Sequence, residues 1–148
     1  MGQIVLPVAG SVYVDTSAII YAVERVEPYP TASRLLWDAL TAGTLAIVTS
    51  QMALLEVLVK PIRNGDQYLA TRYRDILLTA TGLDCRPISL TVLEQAANLR
   101  AGHGLKTPDA IHAATALEAG CAMFVTNHPS FRRVPGLNVV VLDEVVAS

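Results

Sequence analysis

Charge is scarce in this 148-residue chain. Asp, Glu, Lys and Arg together make up 16%, against roughly 25% in an average soluble protein. Aromatic residues are scarcer still, at 5%, which speaks against a broad base-stacking platform for nucleic acid. The two cysteines, Cys85 and Cys121, are too few and too far apart for a disulfide scaffold or a zinc site. A net charge of −2 and a pI near 5.8 exclude a polybasic nucleic-acid binder. Long apolar runs are missing as well. The stretch 52–59 is broken by Glu56 and stopped by Lys60-Pro61, well short of the roughly 20 residues a membrane-spanning helix needs. The N-terminus has no positive region leading into an apolar segment, so no secretion signal is expected. Leu6 stands where a myristoylation pattern wants Ser or Thr. A reducing cytoplasm is the expected compartment, with no membrane partner.

What the chain has instead is apolar surface: 52% of residues, with a mean hydropathy of +0.42. That composition excludes disorder. The length suits a single domain, residues 1–148, burying roughly 68–70% of its unfolded surface. The apolar excess belongs in a core or a subunit interface, and carboxylates within apolar surroundings become the positions to explain. No internal repeat or low-complexity tract interrupts the chain. Short apolar strands are expected at 11–14, 45–48, 86–88, 122–126 and 138–142. Helices are expected at 17–25, 31–42, 51–59, 66–79 and 91–102. A last, Ala-rich helix opens at Thr107-Pro108 and ends at Gly120. Pro28 and Pro30 separate the first two helices. Ser50 reads as an N-cap, Pro61 as a stop, and Thr107 as a cap ahead of Pro108 at the first helical position. Such alternation means an α/β layer fold with a mostly parallel sheet, whose working site lies outside the carboxyl ends of the strands.

Three carboxylates fall where that topology would gather them. Asp15 follows Val12-Tyr13-Val14 directly. It is either a helix cap or a site residue, and Thr16 or Ser17 could cap in its place. Glu56 has Met52, Ala53, Val59 and Lys60 as helical neighbours. Three of the four are apolar, which sets it in or beside the buried stripe; a solvated pair with Lys60 is the plainer alternative. Asp109, in the first turn of the last helix, suits the helix dipole. That helix is otherwise almost wholly apolar, so the carboxylate points at the strand ends. His112, one turn on, reads first as a hydrogen-bonded core residue. Two carboxylates about 5 Å apart repel by roughly 3 kcal/mol at an effective dielectric near 20. Protonation or a divalent cation relieves such a cluster, and oxygen-only ligands select Mg²⁺ or Mn²⁺. Water activated by such an ion can attack a phosphodiester.

Residues 12–20 (Val-Tyr-Val-Asp-Thr-Ser-Ala-Ile-Ile), the apolar helix around Glu56, and residues 107–117 (Thr-Pro-Asp-Ala-Ile-His-Ala-Ala-Thr-Ala-Leu) resemble the three signature blocks of PIN-domain ribonucleases. The size is similar to the VapC toxins of toxin–antitoxin pairs. The resemblance implies a three-layer α/β/α fold on a short, mostly parallel sheet of four to five strands. It also implies Mg²⁺- or Mn²⁺-dependent cleavage of single-stranded or looped RNA, with Asp15, Glu56 and Asp109 as catalytic metal ligands. Thr16, Ser17, Thr126 and Asn127 would orient ligands, water or substrate. The partners implied are an RNA substrate, a second copy in a homodimer, and an antitoxin whose C-terminal segment enters the groove; both protein partners would use apolar surface on the early helices.

One position departs from that pattern. Thr126, Asn127 and Phe131 match, but His128 stands where a fourth acid is usual. His128 is either a metal ligand favouring Mn²⁺ or a turn residue beside Pro129. Loss of the acid leaves three readings: a single firmly held metal, a preference for Mn²⁺, or a catalytically weak module that binds RNA or antitoxin. Between Lys60 and Lys106 seven basic residues face four acidic ones, a local excess able to engage phosphates. Lys106, three residues before Asp109, is the foremost candidate. A haloacid-dehalogenase-like phosphatase would also carry an acid after its first strand, but needs a second Asp where Ser17 stands.

Overall fold

The computed structural model describes residues 2–148. Five short strands form one sheet: β1 (Val12–Val14), β2 (Ile47–Ser50), β3 (Leu83–Arg86), β4 (Met123–Thr126) and β5 (Val139–Val141), in the order β3-β2-β1-β4-β5. Every pairing is parallel. From β1 the chain builds outward through β2 and β3, then returns to lay β4 and β5 on the other side. β1 is therefore the switch point, and the carboxyl ends of β1 and β4 border the natural binding crevice of such a sheet.

Eight helices complete the described chain: α1 (Thr16–Val23), α2 (Tyr29–Ala32), α3 (Arg34–Thr41), α4 (Gln51–Arg63), α5 (Gln67–Thr79), α6 (Leu90–His103), α7 (Thr107–Ala119) and α8 (Leu142–Ala147). Alternation along β1 divides the core. Val12 and Val14 join the apolar cluster with Ile19, Leu36, Val57, Tyr73 and Leu77. Tyr13 points the other way, into a second cluster with Val92, Leu99, Ile111, Phe124 and Phe131. One sheet between two helical layers is the three-layer arrangement expected. No helix among the described residues is long and apolar enough to cross a membrane.

Several element boundaries differ from expectation, each for a local reason. The expected 31–42 helix is two, α2 and α3, parted at Ser33, whose hydroxyl bonds back to the Tyr29 carbonyl at 2.8 Å. Pro61 does not stop α4. It lies inside the last turn, buried, and the helix runs on to Arg63; burial of the ring offsets the one hydrogen bond a proline forfeits there. Thr107 is not the cap of α7. Lys106 holds the cap position without a side-chain bond, and the Thr107 hydroxyl accepts from Arg100 Nη1 at 2.8 Å. β2 and β3 are displaced from 45–48 and 86–88, and α8 was not expected. Ser50 does cap α4, accepting the Met52 N–H at 3.0 Å.

The aromatic stack of Tyr13, Phe124 and Phe131 ties the central strands to the 3-10 helix Pro129–Arg133 that follows β4. Phe131 is fully buried. Phe131→Ala is expected to cost about 3–5 kcal/mol, read as a lowered urea midpoint at unchanged m-value.

Candidate active site

Asp15 ends the central strand with 3% of its surface exposed. A carboxylate that deep needs donors, and it has three. The Ala18 N–H (3.1 Å) and the Ser17 hydroxyl (2.7 Å) reach Oδ1, and the Thr126 hydroxyl reaches Oδ2 at 2.5 Å. Asp15 is thus itself the cap of α1; Thr16 and Ser17 do not replace it, because their hydroxyls are committed to Glu56 and to Asp15. The two hydroxyls on Asp15 are themselves fixed. Ser17 Oγ accepts the Asn127 N–H at 3.2 Å, and Thr126 Oγ1 accepts the His128 N–H at 3.0 Å. Asp15 thereby holds the turn after β4.

Glu56, on the second turn of α4, is half-buried. The Lys60 pair is not formed. Instead Glu56 Oε1 accepts the Thr16 hydroxyl at 2.7 Å and lies 2.8 Å from Nε2 of His112. Burial pushes the Glu56 carboxyl up, but hydrogen bonds from His112 and Thr16, with the nearby His112 and His128 imidazoles, outweigh it and hold the group below its ordinary range. His112 is buried at 2% exposure, with Nδ1 2.6 Å from the Tyr13 hydroxyl.

Asp109 lies in the first turn of α7, also half-buried, and no described side chain donates to it. Its carboxyl is pushed up, chiefly by burial; His128 and His112 pull it back, while Asp15 and Glu56 push it further up. Asp109 therefore feels both of the other carboxylates.

Glu56 and Asp109 line a cleft of about 520 Å³ together with Lys106, His128, Ser130 and Arg133, floored by Gly104, Leu105 and Pro108. Lys106 is exposed on a loop held by Arg100, whose Nε donates to the Leu105 carbonyl at 3.1 Å. Arg133 is a cleft cation that reading the sequence missed; it lies beyond the 60–106 stretch where basic residues concentrate. Within that stretch Arg86 pairs with Asp84 and Arg100 serves the loop, and of the seven basic residues Lys106 lines the cleft. His128 is both a cleft residue and the turn residue ahead of Pro129. Asn127 does not line the cleft. Its amide donates to the Tyr21 and Tyr29 hydroxyls at 3.2 and 3.3 Å and its carbonyl accepts the Asp143 N–H at 2.8 Å. A larger groove, about 630 Å³ between α1, α3 and α5, contains none of the three carboxylates.

Among the described residues, no group of three or more His, Cys, Asp or Glu side chains is gathered into a ready-made metal centre. The fit of a cation rests on charge and donor type. Carboxylate oxygens are the only acidic donors at the strand ends, and Asp109 carries a burial penalty that nothing described here offsets with a hydrogen bond. Asp15, Glu56 and Asp109 suit a hard divalent ion on those grounds, with His128 a nitrogen donor at the rim.

Comparison with known proteins follows the same line. No curated protein matches the chain. Among solved structures, VapBC2 of Rickettsia felis, bound to a DNA fragment from its promoter, superposes with a TM-score of 0.70 at 18% identity, covering 88% of this chain and 97% of that one. A toxin–antitoxin complex from Klebsiella pneumoniae gives 0.61 at 26% identity, covering 89% and 98%. VapC20 of Mycobacterium tuberculosis, a sarcin-ricin loop cleaving toxin, gives 0.68 at 20% identity, covering 82% and 93%. The PIN domain profile matches residues 12–137, a span that holds all three carboxylates, the cleft cations and every strand but β5; the chain belongs to the PIN domain family.

Proposed function

We propose that this chain is a divalent-metal-dependent endoribonuclease and the toxin of a toxin–antitoxin pair. The observation that carries the reading is Asp109. Its carboxyl is half-buried, raised by burial and by Asp15 and Glu56, and faces a cleft that also holds Lys106 and Arg133. Asp15, Glu56 and Asp109 would hold Mg²⁺ or Mn²⁺. Bound there, the ion supplies the charge that activates water and stabilises the leaving oxygen of a phosphodiester. The protein's own groups do the rest. Ser17, the Ala18 N–H and Thr126 hold Asp15 in place. Lys106 and Arg133 engage phosphates, while Ser130 offers a hydroxyl at the same wall. The similar structures include a toxin–antitoxin complex and a sarcin-ricin loop cleaving toxin, which favours RNA as substrate and an antitoxin as partner.

Surfaces for protein partners are present, though not confined to the early helices. Leu55, Val59 and Ile62 form an exposed stripe on α4, and Leu90 and Leu93 another on α6. Trp37 also lines the 630 Å³ groove, with Ile19, Val23 and Leu77. These features support a homodimer and an antitoxin.

A second reading is kept alive by His128, exposed in the cleft where the family usually has an acid: a PIN-like module that binds RNA or antitoxin without appreciable turnover. Cleavage of a structured RNA distinguishes the two. The expected outcome is cleavage abolished by EDTA, restored by Mn²⁺ or Mg²⁺, and lowered at least about 100-fold in Asp15→Asn and Asp109→Asn. Cleavage unaffected by either substitution sinks the nuclease assignment. If the natural chain is inert with metal and His128→Asp creates activity, the binding module is the correct reading.

The raised carboxyl of Asp109 also makes a stability statement. A folded-state value above the unfolded one penalises the ionised fold above the raised value, and the penalty vanishes below the unfolded one. Without metal, Asp109→Asn should therefore melt higher than the natural chain at pH 7, and the advantage should fade as pH drops through the carboxylate range. With Mn²⁺ at about 100 times its dissociation constant the natural chain should gain about 2.7 kcal/mol, or roughly 5–10 °C in Tm, and Asp109→Asn markedly less. Equal metal-induced shifts in the two proteins would remove Asp109 from the ligand set.

A further inference from the structure

We propose that Tyr13 and His112 form a buried proton-ordered relay that positions Glu56, aiming its carboxylate at the cation; the inference rests on the metal reading above. Four elements meet at this point: Tyr13 from β1, Thr16 from α1, Glu56 from α4 and His112 from α7.

The order of the protons follows from counting donors and acceptors. The Tyr13 ring is fully buried and stacks on Phe124 at 4.9 Å with 8° between planes, so its hydroxyl cannot swing to water. A buried phenol must place its one proton, and the His112 Nδ1 lies 2.6 Å away. The neighbouring Thr49 hydroxyl is committed to the Val14 carbonyl at 2.8 Å. Nδ1 therefore accepts, and in the neutral ring the proton sits on Nε2. That N–H donates to Glu56 Oε1 at 2.8 Å, and the Thr16 oxygen, 3.1 Å from the same nitrogen, takes a share of it. The opposite tautomer would set two donors against each other at Tyr13 and turn a lone pair of Nε2 towards a carboxylate.

The consequence falls on the free oxygen of Glu56. Oε1 receives two donors, from Thr16 and His112, whereas Oε2 has no hydrogen-bond partner among the described residues, and Glu56 lines the cleft. One oxygen is clamped and the other is left for a ligand. A flexible pair with Lys60 would leave both free to turn. Groups that orient a metal ligand in this way typically change metal affinity 10- to 100-fold when removed. Tyr13 and His112 thus act on the site through Glu56 without touching substrate.

The test uses the metal-free full chain and Mn²⁺ alone as the probe. Long-range ¹H–¹⁵N spectra, with His112→Gln assigning the resonance, should show His112 as the Nε2–H tautomer in the natural chain. Tyr13→Phe keeps the ring stack and removes only the hydroxyl; it should release that tautomer and weaken Mn²⁺ binding, followed by electron paramagnetic resonance, about tenfold. His112→Ala should weaken it more. His112→Gln, whose amide can still donate to Glu56, should recover part of the loss, which a merely structural role would not produce. Circular dichroism verifies that each variant is folded. An Nδ1–H tautomer in the natural chain, or Mn²⁺ affinity unchanged in both Tyr13→Phe and His112→Ala, overturns the relay while leaving the metal site standing. A natural chain that binds no Mn²⁺ overturns the metal reading itself and the purpose assigned to the relay, whichever tautomer is seen.

Discussion

A carboxylate at the end of the central strand, 3% exposed, sets the terms for the cleft. A carboxyl group at that depth needs hydrogen-bond partners, and the donors to Asp15 come from two directions. One is its own helix, through the Ala18 N–H and Ser17. The other is β4, through Thr126. Because each hydroxyl also accepts a backbone N–H of the following turn, from Asn127 or His128, satisfying Asp15 fixes the path of the chain after β4. That path carries His128, Ser130 and Arg133 to the cleft wall, while Phe131 anchors it from below against Phe124. Burial of one charge thus organises both the acidic and the basic sides of the site.

The other two carboxylates are shifted in opposite directions, and the difference has a purpose in the proposed chemistry. Glu56 is already compensated by Thr16 and His112, so it is ionised and held. Asp109 has neighbours of like charge and no described donor. His128 and His112 compensate Asp109 only in part, and in the proposed chemistry a bound cation would supply the rest. Glu56 contributes geometry and Asp109 contributes the driving force. Groups whose surroundings push their protonation apart mark functional sites more often than structural ones.

What could be read from the sequence divides along the range of the interactions involved. The strand-end position of Asp15, the apolar setting of Glu56 and the helix-head position of Asp109 are local facts of spacing, and the layer fold follows from alternating periods. The failures are of two kinds. Pro61 and Thr107 obey weaker local rules than the tertiary contacts acting on them, burial of a ring in one case and an Arg100 hydrogen bond in the other. The Tyr13–His112 contact spans 99 positions, and no local pattern announces it. A tyrosine within a buried strand and a histidine within an alanine-rich helix each look like packing until the fold sets them 2.6 Å apart. Arg133 was missed for the same reason, since its place in the cleft depends on a turn held by Asp15.

The proposed cleavage of RNA by an acidic molecule is a contradiction only if binding is pictured as bulk attraction. The described cleft is lined by two cations, Lys106 and Arg133, and by two carboxylates, Glu56 and Asp109. Phosphate oxygens would be drawn to the first pair and repelled by the second unless a bound cation offsets it. With so few fixed cations, the sequence-independent phosphate contribution is small, and the scarcity of aromatic residues removes base stacking as a substitute. Under the proposed function, discrimination among RNAs would rest on the shape of the cleft and on a bound cation, which would offset the repulsion from the carboxylates. The low charge of the chain is consistent with that division: the protein supplies a geometry that is unfavourable when empty, and substrate and ion together complete it.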